Sequence, residues 1–122
     1  MGLKTFDIFL NSRIKPFKKT IKVDSDKSLS IRSFLISSIC QNISKVNNVL
    51  ESGDVQSTIL VCKKLGVKIK KVKPQSYIIY GKGLGSFFAK KNTLLNFGNS
   101  GTLARLVIGI LSTTPNIEIK IM

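Results

Sequence analysis

The order of extended and helical patterns along this chain predicts an α/β fold built from a β-α-β-α-β-β unit that begins to repeat. Three observations carry that expectation. Apolar residues at 29, 31, 34, 35, 36 and 39 recur at helical spacing. A second helical pattern over 55–65 is closed by Gly66. Two β-branched runs, 67–72 and 77–80, flank Lys73-Pro74-Gln75-Ser76 in the manner of a hairpin.

In chain order, Thr5 to Leu10 alternates loosely and is bounded by Asn11 and Ser12, which predicts a strand. Phe17 to Val23 sets Phe17, Ile21 and Val23 among lysines and predicts a second. The pattern changes at Asp24-Ser25-Asp26, and Ser28 to Cys40 predicts a helix buried over most of its circumference, its serines permitting close packing. Val46 to Leu50 is a short strand candidate. Glu51-Ser52-Gly53-Asp54 supplies a turn and an N-cap for a helix from Val55 to Leu65. Strands Val67 to Val72 and Tyr77 to Tyr80 follow, then a glycine loop, Gly81 to Gly85, and a stretch without clear periodicity. FGNSGTLARLVIGILS, residues 97–112, predicts a helix from about Gly101 to Ser112 that is apolar on every side; Ile117 to Ile121 predicts a last strand, and the chain stops in mid-strand at Met122.

The 122 residues are enough for one domain, and 43% apolar content can fill a modest core. Seventeen lysines and three arginines against six carboxylates give a formal charge of +14. That charge, with the lysine hairpin KIKKVK at 68–73, motivates one reading as a small basic nucleic-acid-binding domain. Against it, the lysines are spread along the chain as a solvated surface would spread them, and only Tyr77 and Tyr80 could offer bases a stacking face. Cys40 and Cys62 stand apart in apolar stretches, the pattern of buried reduced thiols. Histidine is absent, which removes Ser-His and Cys-His nucleophile pairs and most zinc sites, so no metal is expected. The start lacks a signal-peptide core, and the apolar run at 106–111 is far too short to span a bilayer, so a cytoplasmic protein with no membrane partner is expected.

Two motifs concentrate donors for anions. In DKSLSIR, residues 26–32, Ser28 and Arg32 lie one helical turn apart, with Lys27 just ahead of the first turn. A helix N-terminus with a hydroxyl, an ammonium and a guanidinium is a phosphate or carboxylate receptor. In GNSGTLAR, residues 98–105, Gly98 and Gly101 permit positive φ, Asn99 tolerates it, Ser100 or Thr102 can cap the next helix, and Arg105 lies one turn inside. Two of the three arginines thus sit one turn into these helix starts, where a planar fork does what lysine cannot. GKGLGS, residues 81–86, lacks the GxxxxGK[ST] spacing and reads as a hairpin exit.

DSDKSLSIR and GNSGTLAR, with KKLGVKI between them, together resemble the signatures of the 5-enolpyruvylshikimate-3-phosphate synthase family, with Asp24-Ser25 standing where Pro-Gly is usual. The resemblance implies transfer of the carboxyvinyl group of phosphoenolpyruvate to the 5-hydroxyl of shikimate 3-phosphate, without metal or organic cofactor. It implies that Lys27, Ser28 and Arg32 hold shikimate 3-phosphate, that Lys27 and the backbone at Gly101 meet phosphoenolpyruvate, and that Asn99, Thr102 and Arg105 shape that wall. It also implies an inside-out α/β barrel of two lobes, with helices inside and sheets outside. Residues 1–24 would then join the second lobe, and 25–122 would form an incomplete first lobe, with one unit over about 25–83 and the start of another over about 84–122. Family members are several times longer. The chain is therefore expected to be an N-terminal fragment, inactive alone, with the acid and base groups beyond Met122, the rest of the polypeptide as its structural partner, and a monomer as the full-length form.

Overall fold

The computed structural model describes residues 7–9, 11, 13, 15–16 and 18–122. Of the two N-terminal strands expected from the sequence, Thr5, Phe6, Leu10 and Phe17 lie outside the described residues. Asp7–Phe9 and Lys18–Val23 belong to no strand, with Ile21 and Val23 exposed. An alternating segment becomes a strand only where a neighbouring edge accepts its hydrogen bonds, and among the described residues none does.

Helix α1 (Lys27–Ile39) starts one residue before the sequence pattern, because Asp26 caps it: its Oδ1 accepts the Leu29 N–H at 2.6 Å. The buried serines fold their hydroxyls back onto the helix, Ser38 onto the Phe34 carbonyl and Ser30 onto that of Asp26, both at 2.7 Å. Each thereby enters the interior with its polar atom satisfied. Ile31 and Phe34 are fully buried, and Phe34 meets Tyr77 edge to face at 5.2 Å.

Strand β1 (Ile43–Asn47) lies three residues earlier than Val46–Leu50. Asn48, at φ 57°, breaks the strand, and the buried Val49 that imitates strand periodicity is a loop residue plugged into the core. Helix α2 (Gly53–Lys64) begins two residues before the expected Val55 and ends at Leu65, with Gly66 at φ 87°. Strands β2 (Lys68–Lys73) and β3 (Ser76–Tyr80) form the hairpin, with a bulge between Lys71 and Lys73 and Gln75 at φ 57° in the turn. The sheet order is β1-β3-β2, antiparallel throughout. Tyr77 and Ile79 of the central strand are buried, while Lys45 and Lys70 flank Ile78 across the opposite, outer face. α1 and α2 therefore cover one face of the sheet while the basic face looks outward; Leu29 and Ile36 of α1 are exposed, so within these residues the helix is not buried over most of its circumference as its pattern led us to expect.

The glycine loop closes α1. The amides of Lys82 and Gly83 donate to the carbonyls of Ser38 and Cys40, both at 2.9 Å, and so are spent on orphan acceptors at the helix end, while that of Gly81 donates to Asn42, just before β1, at 3.2 Å. A side chain at Gly81 would overlap the Cys40 carbonyl and lie 2.6 Å from that of Ser37. The patternless stretch after it holds β4 (Thr93–Leu95), a strand too short to show a period. β4 pairs in parallel with β5 (Ile119–Ile121) across helix α3 (Gly101–Leu111). α3 buries only the stripe Leu103, Val107 and Leu111; Ile108 is 52% exposed, so within these residues the helix is not enclosed on every side as its composition led us to expect. Cys62 is buried and its thiol is pushed up to about 11 by that burial; Cys40 is only half-buried, and neither is bonded.

Loop 48–52 is tied to the hairpin by Glu51, whose Oε1 accepts from Lys71 Nζ at 2.7 Å, the Tyr77 hydroxyl at 2.6 Å and the Gln75 N–H at 3.3 Å. The Lys71 ammonium first, then Tyr77, lower the carboxyl from 4.5 to about 2. A lowered carboxyl stabilises the fold above its unfolded value and loses that contribution as pH falls toward the folded one. Glu51→Gln should therefore lower the urea midpoint at pH 7 and match the unmodified chain near pH 2, with the difference closing between pH 4.5 and 2. Gly81→Ala should cost at least ~2 kcal/mol in the same assay, because neither carbonyl can move without unwinding the end of α1.

Candidate functional site

Each of the three helices starts with backbone donors that no protein acceptor takes. Among the described residues the amides of Lys27 and Ser28, of Gly53 and Asp54, and of Gly101 and Thr102 have no hydrogen-bond partner. Such amides, with the helix dipole behind them, favour negative charge. Tertiary packing brings these three starts to one end of the structure. Lys27 Nζ lies 3.0 Å from Asp54 Oδ2, which places the first turns of α1 and α2 side by side. A Cβ at Gly98 would lie 3.4 Å from Ser57 Oγ, which places the loop before α3 against that same turn of α2.

The residues of DKSLSIR take the following places. Asp26 is the cap, so Asp24-Ser25 in place of Pro-Gly leaves the helix start intact. Lys27 is the first helical residue, exposed and joined to Asp54. Ser28 is half-buried and Arg32 exposed, and neither makes a side-chain hydrogen bond or ion pair among the described residues. In GNSGTLAR, Gly98 takes the left-handed conformation at φ 56°, while Asn99 and Gly101 keep ordinary φ and do not use the freedom the sequence offers them. Ser100 is the cap, accepting the Leu103 N–H at 3.2 Å from a side chain that is 3% exposed; Thr102 does not cap. Asn99 and Arg105 are exposed, Thr102 is half-buried, and among the described residues no hydrogen bond or ion pair joins them to Lys27. A Cβ at Gly101 would meet nothing within 4 Å. The packing of these residues therefore does not require glycine there, and the space before the α3 amides is open.

Two contributors were not evident in the sequence. Asp54 was read as part of a capping turn, whereas Ser52 occupies the cap without a side-chain bond and Asp54 faces Lys27. Asn96 Oδ1 accepts the Gly98 N–H at 2.7 Å, an Asx turn that shapes the entry to the glycine segment. An Asn two residues before a glycine was the available signal. The arrangement supplies cations and amides for two anionic groups. It holds no clustered carboxylates or thiols for a metal among the described residues.

The lysine hairpin makes a poor platform for nucleic-acid bases. Tyr77 is buried, and Tyr80 is half-buried with Lys68 Nζ 4.9 Å from its ring centre. No described helix is long and apolar enough to cross a membrane.

Comparison with known proteins places these features in a family. Residues 12–121 match the family model for EPSP synthase (3-phosphoshikimate 1-carboxyvinyltransferase). A 3-phosphoshikimate 1-carboxyvinyltransferase from Syntrophomonas wolfei subsp. wolfei is 38% identical over 110 residues, which are 90% of this chain and 25% of that protein. One from Bacillus cytotoxicus is 42% identical over 103 residues, 84% of this chain and 24% of that protein. An EPSP synthase structure from Acinetobacter baumannii superposes with a TM-score of 0.68 at 35% identity, over 75% of this chain and 21% of that one. The chain spans about a quarter of the length of the relatives it matches. With a match over nearly all of its length and the same α/β architecture, the chain belongs to the EPSP synthase family.

Proposed function

We propose that this chain supplies part of the substrate site of an enzyme that transfers the carboxyvinyl group of phosphoenolpyruvate to the 5-hydroxyl of shikimate 3-phosphate. The observation that carries this reading is the meeting of three helix N-termini at one end, with Lys27 on the first and the open face of Gly101 on the third. Both substrates are multiply anionic, so free amides, an ammonium and guanidinium groups have ligands to match.

Lys27, Ser28 and Arg32 bind shikimate 3-phosphate. Lys27 also reaches phosphoenolpyruvate, whose site is walled by the Gly101 backbone and shaped by Asn99, Thr102 and Arg105. Asp54 holds Lys27 in place before substrate arrives. In the reaction the 5-hydroxyl gives its proton to a base as its oxygen bonds to the phosphate-bearing carbon, an acid protonates the methylene to a methyl, and phosphate then leaves as that methyl loses a proton and the double bond re-forms. These side chains neutralise the phosphates through that sequence, and the proton transfers fall to groups outside this chain.

The same reading assigns residues 1–24 to a second lobe, 25–83 to a first repeat unit and 84–122 to the start of a second. The rest of such an enzyme would cover Leu29, Ile36, Leu60 and Ile108, all exposed here. We take the enzyme to be cytoplasmic and monomeric.

Lys27→Ala in the complete gene product should lower kcat/KM at least ~100-fold, the cost of removing one aimed charge donor; near-normal activity would remove Lys27 from the site. Gly101→Ala should leave the melting temperature unchanged, because its Cβ meets open space, yet raise KM for phosphoenolpyruvate. An unchanged KM would place that substrate elsewhere.

A further inference from the structure

One hydroxyl joins the start of α1, which carries Lys27, to the loop that leads into α2 and Asp54. Ser30 is 5% exposed; its Oγ donates to the Asp26 carbonyl at 2.7 Å and accepts the Leu50 N–H at 3.0 Å. Asp26 immediately precedes Lys27, and Leu50 leads into the turn that delivers Asp54. The next residue, Glu51, is held from the opposite side by Lys71, Tyr77 and the Gln75 amide. Adjacent residues of loop 48–52 are thus fixed from two directions.

That fixation matters because Ser52 occupies the cap position without a side-chain hydrogen bond, which leaves the start of α2 to be placed by the burial of Val55 and by the loop before it. The ion pair above is half-exposed on the lysine side and too weak to impose a spacing on two helices. A buried hydroxyl bonded on both sides can impose one, since losing it strands the Leu50 donor away from water.

We propose that Ser30 is a positioning residue for the anion site, its hydroxyl setting the distance between the starts of α1 and α2 and hence the placement of Lys27. This rests on reading Lys27 as a ligand of shikimate 3-phosphate. Ser38 is the internal control: it lies on the same helix, is fully buried and bonds a carbonyl in the same way, but its other neighbour is the Cys62 thiol near the far end of α2 rather than the loop before α2.

The test compares Ser30→Ala, Ser30→Thr and Ser38→Ala in the complete gene product, measuring shikimate 3-phosphate affinity and hydrogen exchange over residues 48–56. Ser30→Ala should weaken binding about five-fold, the equivalent of one net hydrogen bond, and speed exchange in that segment. Ser30→Thr, which keeps the hydroxyl, should restore both, and Ser38→Ala should change neither. Unchanged binding in Ser30→Ala, or equal losses in Ser30→Ala and Ser38→Ala, would overturn the proposal. If the unmodified protein does not bind shikimate 3-phosphate, the substrate reading fails by itself. The Lys27 ammonium resonance then decides the positioning role: it should move in Ser30→Ala and not in Ser38→Ala, and a signal unmoved in both refutes it.

Discussion

Helix α1 is the strut on which the rest of this structure depends. Ile31 and Phe34 are fully buried, and α1 packs against α2, α3, β1 and β3. Its neighbours are positioned by what they bury against it: Tyr77 of the central strand by its edge-to-face contact with Phe34, and the glycine loop by bonds to the carbonyls of Ser38 and Cys40. Along its length α1 still exposes Leu29, Arg32 and Ile36, and its two ends differ. The C-terminal end is closed by the amides of Lys82 and Gly83, and the N-terminal end is left with Lys27 and free amides. The acceptor end is sealed and the donor end open, and free helix N-terminal amides favour negative charge.

The two glycine segments show how the same residue serves opposite purposes. Gly81 is needed because two carbonyls of α1 occupy the space a side chain would take. Gly101 has open space before it, so its own packing sets no limit on a side chain there. The difference cannot be read from GKGLGS and GNSG as strings; it depends on which neighbour the fold brings to each. Charge behaves similarly. The four hairpin lysines face solvent, or in the case of Lys71 serve Glu51, while Lys27 lies between the starts of α1 and α2.

Most helices and the hairpin were legible because their signals are local: apolar residues at helical spacing over α1, Gly66 after α2, and a Pro-containing turn between β2 and β3. β4 was not, since three residues carry no period, and β1 was displaced because Val49 is buried by the core rather than by a sheet. Lys18–Val23 alternates as a strand should but has no partner edge among the described residues, and pairing is a property of two segments rather than one. Within the candidate site, the places of Lys27, Ser28 and Arg32 on α1 and of the GNSG turn before α3 were legible from spacing. The roles of Asp54, Asn96 and Ser30 were not, because a capping aspartate, a loop asparagine and a helix serine look alike until their partners are known.

By itself, then, the sequence determined the α/β class, the helix starts that carry the two motifs, the exclusion of histidine chemistry and the family resemblance, all of which depend on residue types at short spacing. The tertiary structure decided that these helix starts share one end, that Asp54 rather than solvent faces Lys27, and that the glycine loop spends its amides on α1. Those outcomes depend on contacts between residues 20 or more positions apart, such as Ser30 with Leu50 and Lys27 with Asp54. No local pattern encodes them, because they arise only when burial of Ile31, Phe34 and their neighbours fixes how the helices lie against one another.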